Sequence, residues 1–108
     1  KVLILGFTFK EDCPDVRNTR VIDIYNEIKS FDMDVDVYDP WADAKEVQHE
    51  YGIHISSKGD EPNLEKYSAI ILAVAHKEFR PLSIQKTKNQ VVFDVKGILD
   101  KSKVDSRL

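Results

Sequence analysis

Three cations stand where an anion could be held. Lys10 and Arg17 follow a short apolar run, Val2-Leu3-Ile4-Leu5, and Lys96 follows another, Val91 to Val95. In open α/β sheets, ligands lie beyond the carboxyl ends of the strands, near the point where the strand order reverses. With both runs as strands of one such sheet, Lys10, Arg17 and Lys96 converge on a single rim, beside the N-terminus of the helix that follows the first strand. A helix N-terminus with two or three cations has the chemistry of a phosphate site. Each charge-assisted hydrogen bond there contributes roughly 1.5–3 kcal/mol. A lysine or arginine on a loop is more often merely solvated, so it is the grouping of the three that points to a ligand.

Other reactive side chains read less sharply. Cys13 lies among Glu11, Asp12 and Asp15, which disfavour a thiolate, and no histidine adjoins it in sequence to act as its base. It is read as non-catalytic. His49, His54 and His76 lack metal-ligand spacing, so no metal site is expected. His49 and His54 read as surface residues, whereas His76 closes a buried strand on the ligand side. Asp39, Asp94 and Lys96 evoke a phospho-receiver, but such a domain needs an acidic pair closing its first strand, and here Gly6-Phe7-Thr8 stands there. The same turn lacks the glycine-rich loop that lets a backbone hug a pyrophosphate. A dinucleotide would be met by side chains from outside.

The elements that must position these groups alternate. Val2 to Leu5 is a strand. Val21, Ile22, Ile24, Tyr25, Ile28 and Phe31 recur at helical spacing, with Asn18 or Thr19 as N-cap. Val35 to Tyr38 is a second strand, Ala42 to Tyr51 a helix ending at Gly52, and Ile53 to Ile55 a short edge strand. Leu64 to Tyr67 is a helical turn, and Ala69 to Ala75 is the most apolar strand and therefore central. Pro81 to Lys86 is a short helix, and Val91 to Val95 the last strand. Continuous apolar strands separated by helices predict an α/β fold: one Rossmann-like, doubly wound parallel sheet of about five strands, order 3-2-1-4-5, with helices on both faces. The polar tail from Lys101 is expected to fray.

At 108 residues the chain is one domain with room for one real core. Its net charge of −3 leaves no basic footprint for nucleic acid, so an anion site must be local. No apolar run approaches the ~20 residues of a membrane span. Lys1 opens directly onto a core strand with no initiator methionine, which predicts a piece of a longer protein.

The segment from Gly6 to Thr19, GFTFKEDCPDVRNT, resembles the opening of the C-terminal domain of the UDP-glucose/GDP-mannose dehydrogenase family, whose pattern is roughly G-x-x-F-K-x-x-(T/C)-x-D-x-R-x-(S/T). Val37 to Pro40, Ala73 to Phe79 and Phe93 to Gly97 resemble its later strands, so nearly the whole chain, 1–108, is covered. The wording is closest to the branch acting on UDP-N-acetylhexosamines for surface-polysaccharide synthesis. The resemblance implies a cytoplasmic, homodimeric enzyme with a cofactor domain and a helical dimerisation region upstream. Such enzymes oxidise the C6 hydroxyl of a nucleotide sugar to a carboxylate with two NAD⁺, through an aldehyde and a thioester on a cysteine that Cys13 does not match. This chain alone would then bind without catalysing.

By the same resemblance Phe9 and Lys10 contact the UDP-sugar, with Lys10 near the phosphates, and Arg17 reaches toward NAD. Lys96 falls where relatives often carry a substrate-binding arginine from the partner subunit, and a lysine there lacks the bidentate fork. His76 receives no role. Two further readings share the fold: a stand-alone nucleotide-binding or regulatory module, and a domain serving only in dimer packing.

Overall fold

A computed structural model describes residues 1–79 and 90–94, together with the backbone of 106 and 107; of Asp94 only the backbone is described. Five parallel strands form one sheet, β1 (Val2–Leu5), β2 (Val35–Tyr38), β3 (Ala69–Leu72), β4 (Val91–Asp94) and β5 (Ser106–Arg107), in the order β2-β1-β3-β4-β5. β3 is central, as its composition predicts, although its ladder ends at Leu72 rather than Ala75.

Two expectations change at the edges. The segment Ile53–Ile55 makes no strand. A single parallel bridge joins Ser56 to Tyr38, with Ser56 N–H donating to the Val37 carbonyl and Asp39 N–H to that of Ser56. A turn closed by Asp60 N–H on the Ser57 carbonyl, with Gly59 at φ +101°, bends the chain away before a ladder can grow. At the other edge the tail does not simply fray: Ser106–Arg107 pairs with Phe93 and Asp94. The expected order 3-2-1-4-5 is therefore matched only roughly: the parallel α/β sheet is as expected, its expected third strand is reduced to the Ser56 bridge, and β5 is an addition.

All four residues of β1 are buried, as a strand covered on both faces requires. Ile4, Val37 and Ile71 face one cluster with Val21, Ile24 and Ile28 of α1 (Val21–Lys29) and Val47 of α2 (Ala44–Tyr51). Leu3, Leu5, Ile70, Leu72 and Val92 face the other, closed by Leu64, Tyr67 and Phe79. Among the described residues both α-helices lie on the first face. The second is covered by 3₁₀ turns at Leu64–Lys66 and Lys77–Phe79. The short helix expected at Pro81 to Lys86 lies outside the described residues.

Neither Asn18 nor Thr19 is the N-cap of α1: that position is Arg20, which makes no side-chain capping bond, and Thr19 lies one residue before it, its Oγ1 accepting the Val21 N–H at 3.0 Å. Asn18 is engaged elsewhere, donating to Asp15 Oδ2. The helix stops before Phe31, which is 64% exposed. Closing bonds from Phe31 N–H to the Ile28 carbonyl and Asp32 N–H to that of Lys29 tighten the last turn, and Asp32 at φ +59° leads the chain away. α2 is framed by Asp43, whose carboxylate accepts the Lys45 N–H, and by Gly52 in the left-handed region.

Candidate functional site

The carboxyl ends of β1, β2 and β3 come level because Leu5 is in register with both Tyr38 and Leu72. Three loops therefore meet at one rim: the long loop after β1, the turn at Asp39 after β2, and the segment around His76 after β3.

The loop after β1 starts with a turn that only glycine can make. Gly6 has φ +98°, and a Cβ there would lie 2.6 Å from the Val74 Cβ and 2.8 Å from its backbone nitrogen. Phe7 and Val16 then bury completely and pin the loop at two points. Between them the loop braces itself. Phe9 N–H donates to the Asp15 carbonyl at 2.7 Å, and Thr8 Oγ1 donates to the Lys10 carbonyl at 3.0 Å. The Asp15 carboxylate accepts the Arg17 N–H and the Asn18 side-chain amide, and these bonds hold its carboxyl below the usual carboxylate value.

The result is a row of exposed groups. Phe9 is 53% exposed although it is aromatic, and Lys10, Arg17 and Arg20 are exposed. A cleft of about 490 Å³ is lined by Phe9, Arg17, Arg20 and Tyr51 among others, with one carboxylate, Asp23, against its two arginines. A second, of about 260 Å³, is lined by Thr8, Phe9, Lys10, Arg20 and Val74 among others, with one carboxylate, Glu11, against two cations. Phe9 and Arg20 border both clefts. Lys10 and Arg17 thus line adjoining clefts beside the first turn of α1, with Arg20 between them. Lys96 lies outside the described residues, so the grouping rests on Lys10, Arg17 and Arg20. Arg20, at the start of α1, was one cation among several in the sequence; its place on both clefts comes from the fold. A third cavity, of about 240 Å³, opens on the opposite sheet face among Leu5, Tyr38 and Phe79, with Glu61 and Glu78 on its lining. With two carboxylates and no cation on that lining, it suits a diphosphate poorly.

Beneath this row lies a buried polar network that the sequence did not reveal. Asp39 is fully buried, and its carboxylate accepts five bonds. Oδ2 takes the N–H groups of Phe7 (2.6 Å) and Thr8 (3.0 Å) and faces His76 Nε2 at 2.9 Å. Oδ1 takes the N–H groups of Trp41 (2.7 Å) and Ala42 (3.2 Å). Burial pushes this carboxyl up, but the His76 bond and the N–H groups of Phe7 and Thr8 together outweigh it and hold Asp39 below its ordinary value.

His76 is also fully buried. Its Nδ1 accepts the Asp12 N–H at 2.9 Å, so that nitrogen carries no proton. The proton is on Nε2, shared between Asp39 Oδ2 and Thr8 Oγ1, the latter 3.0 Å away. Thr8 can accept because its own proton goes to Lys10. Asp12 in turn accepts the Lys77 N–H on Oδ1 at 2.8 Å, from a left-handed backbone at φ +53°. Trp41 stacks on His76, receives Lys77 Nζ over its ring at 5.4 Å, and donates its indole N–H to Glu78.

This network decides what the turn after β1 can hold. In a glycine-rich dinucleotide turn the backbone N–H groups face a pyrophosphate. Here those of Phe7 and Thr8 are spent on Asp39, and Val74 crowds Gly6. The turn does not fit a dinucleotide. What the rim offers an anion is cationic side chains. Cys13 is partly exposed, and among the described residues no hydrogen bond joins its thiol to a histidine. Among the described residues no helix is long and apolar enough to cross a membrane.

Comparison with known proteins places this geometry. Residues 3–101 match the model of the UDP-glucose/GDP-mannose dehydrogenase family, UDP binding domain. The chain is 43% identical over 113 residues to UDP-N-acetyl-D-glucosamine 6-dehydrogenase of Pseudomonas aeruginosa, covering 100% of this chain and 26% of that protein. It is 45% identical over 112 residues to the enzyme of the same name from Salmonella typhi, covering 99% and 26%. The chain thus spans about a quarter of the length of the curated relatives it matches. Among solved structures it is similar to a UDP-glucose dehydrogenase of Pyrobaculum islandicum, with a TM-score of 0.76 at 20% identity, covering 98% of this chain and 24% of that one, which bears on the fold alone. It is also similar to the UDP-N-acetyl-mannosamine dehydrogenase Cap5O of Staphylococcus aureus, with a TM-score of 0.67 at 26% identity, covering 98% and 25%.

Proposed function

Because this chain belongs to the UDP-glucose/GDP-mannose dehydrogenase family, as its UDP-binding domain, we propose that the rim built on the loop after β1 binds the diphosphate and sugar of a UDP-N-acetylhexosamine. Lys10 neutralises the diphosphate, Phe9 packs on the ligand, and Arg20, between the two clefts, adds a third positive charge to those of Lys10 and Arg17. Lys96, outside the described residues, is assigned to the same ligand by the family resemblance alone. Arg17 is directed outward toward NAD, whose pyrophosphate must be cradled by a different domain.

The observation that carries this reading is the pair of adjoining clefts, sharing Phe9 and Arg20, with Lys10 in one and Arg17 in the other. A domain whose first turn spends its N–H groups internally must hold phosphate with cationic side chains.

The whole protein is then an NAD-dependent UDP-sugar 6-dehydrogenase, cytoplasmic and homodimeric, serving surface-polysaccharide synthesis. It converts the C6 alcohol to a carboxylate by removing two hydrides, with water supplying the second oxygen. This chain supplies binding and charge neutralisation; the nucleophilic cysteine and the hydride acceptor belong to the rest of the protein. The test is reduction of NAD⁺ by the complete protein, followed at 340 nm with UDP-N-acetylglucosamine, -galactosamine and -mannosamine. Two NADH per sugar consumed is the expected result. No reduction with any of them, in protein that binds UDP, would overturn the assignment of activity.

A further inference from the structure

His76 has no place in the reading above, yet it is the buried side chain that touches the ligand-facing loop on both sides of Phe9 and Lys10. It is fully buried, and its two ring nitrogens do different work. Nε2 donates downward to the Asp39 carboxylate and sideways to Thr8. Nδ1 reaches outward and accepts the N–H of Asp12. Thr8 and Asp12 bracket Phe9 and Lys10 in the chain. The Thr8 hydroxyl carries the constraint on to the Lys10 carbonyl, and the Lys77 N–H locks the Asp12 carboxylate beside the same ring. The ring itself is held from one side by stacked Trp41, whose indole N–H is fixed on Glu78.

We propose that His76 is the positioning residue for the proposed ligand-binding loop: its Nδ1 fixes Asp12, and with it the conformation that presents Phe9 and Lys10, while its Nε2 serves the stability of the buried Asp39. This deepens the proposed function and rests on Lys10 meeting the diphosphate. The two halves of the ring are separable because only the Nδ1 bond reaches Asp12, beyond Phe9 and Lys10, whereas Nε2 touches the loop at Thr8, whose own bond to the Lys10 carbonyl does not need the ring. Asp12 is held in the left-handed region, which is uncommon for non-glycine residues although aspartate enters it more readily than most. Without an acceptor at Nδ1, the Asp12 N–H loses its partner and the loop its preferred geometry. Lys10 must then be ordered by the ligand, at a cost in affinity.

The experiment dissects the ring by amide mimics in the complete protein. His76→Asn offers an oxygen near the Nδ1 position and nothing at Nε2. His76→Gln offers a donor near Nε2 and nothing at Nδ1. Binding of UDP is measured by titration calorimetry well below each variant's melting midpoint, and stability by thermal melting. His76→Asn is expected to melt at a lower temperature yet bind UDP within about threefold of the parent. His76→Gln is expected to melt higher than His76→Asn yet bind about tenfold more weakly, the size of one lost hydrogen-bonded constraint.

Asp12→Asn and Asp12→Ala form a second pair on an exposed residue, where folding is not at risk. Both remove the charge, but only Asn keeps an acceptor for the Lys77 N–H. UDP should bind about threefold or more weaker to the Ala variant than to the Asn variant. Affinity that falls in step with melting temperature across the His76 pair, or equal affinity in all four variants, would overturn the positioning role. Lys10→Ala is the control that separates the two levels. If it leaves UDP affinity unchanged, the loop does not meet the diphosphate, and both the functional reading and this inference fail. If it weakens binding while His76→Gln does not, this inference alone fails.

Discussion

Trp41 and His76 lie ring against ring, with centroids 6.0 Å apart and planes 22° from parallel. The backbone N–H of Trp41 also donates to Asp39 Oδ1 at 2.7 Å. The single tryptophan of the chain is therefore attached to both members of the buried pair, and its fluorescence reports on them.

The first prediction uses that attachment. Asp39 has its folded-state pKa below the ordinary value. A carboxylate depressed in this way contributes stability that is fully present above the unfolded value of about 3.9 and is lost as pH falls through the folded value. Acid unfolding should therefore begin below about pH 4, and Trp41 emission should change together with far-UV circular dichroism. Asp39→Asn places an NH₂ against N–H donors whichever way the amide turns, so it should destabilise the domain by about 2–4 kcal/mol in urea titrations. An Asn variant as stable as the parent, with an unchanged acid transition, would count against Asp39 as the hub.

Lys10→Ala in the complete protein should weaken UDP binding by about 10–100-fold, the loss of one charge-assisted hydrogen bond in a partly enclosed site. Cys13→Ser should leave both affinity and turnover within about threefold, because among the described residues no hydrogen bond joins the thiol to a histidine. Calorimetry and steady-state rates on the two variants check both statements. An inactive but folded Cys13→Ser enzyme would reverse the reading of that residue.

Much of the fold was legible because apolar periodicity reports burial directly. Val2 to Leu5 reads as a strand covered on both faces, and it is one. Phe31 fits the helical spacing of α1 but lies past its end, since periodicity does not register where the hydrogen bonds close. Ile53 to Ile55 has strand composition, yet the turn at Ser57–Asp60 leaves it one bridge. Phe9, Lys10 and Arg17 were legible through a motif compact in sequence. The Asp39–His76 pair was not, because its members are 37 positions apart, and Thr8 lies 68 from His76. Only the order β2-β1-β3 brings them together. Asp39 and His76 were each visible at a strand's carboxyl end; their partnership was not.

Gly6→Ala should cost about 2–4 kcal/mol of stability, since the new methyl meets the Val74 backbone and the conformation disfavours any side chain. Denaturant titration gives the number. A cost below about 0.5 kcal/mol would mean that the chain shifts freely at this crossing.

Tyr67 donates its hydroxyl to Asp36 at 2.7 Å, and burial, this bond and the charge on Asp36 push it up to about 12 from an ordinary 10.0. A group raised in this way contributes stability that is fully present below pH 10 and is lost as pH rises toward 12. Absorbance at 295 nm should show one tyrosine ionising at about 12 and losing that step in Tyr67→Phe. Its persistence in the Phe variant would assign the step to another ring.

Val2, Val35, Ala69 and Val91 sit in one row, and Leu5, Tyr38, Leu72 and Asp94 in another three residues on. Four strands of equal length thus form a level terrace, with every ligand-facing loop departing from the same height. One residue inserted into any strand would raise its loop by about 3.3 Å and turn its side chains to the opposite face. A loop, by contrast, can gain a residue without disturbing the step from which it springs.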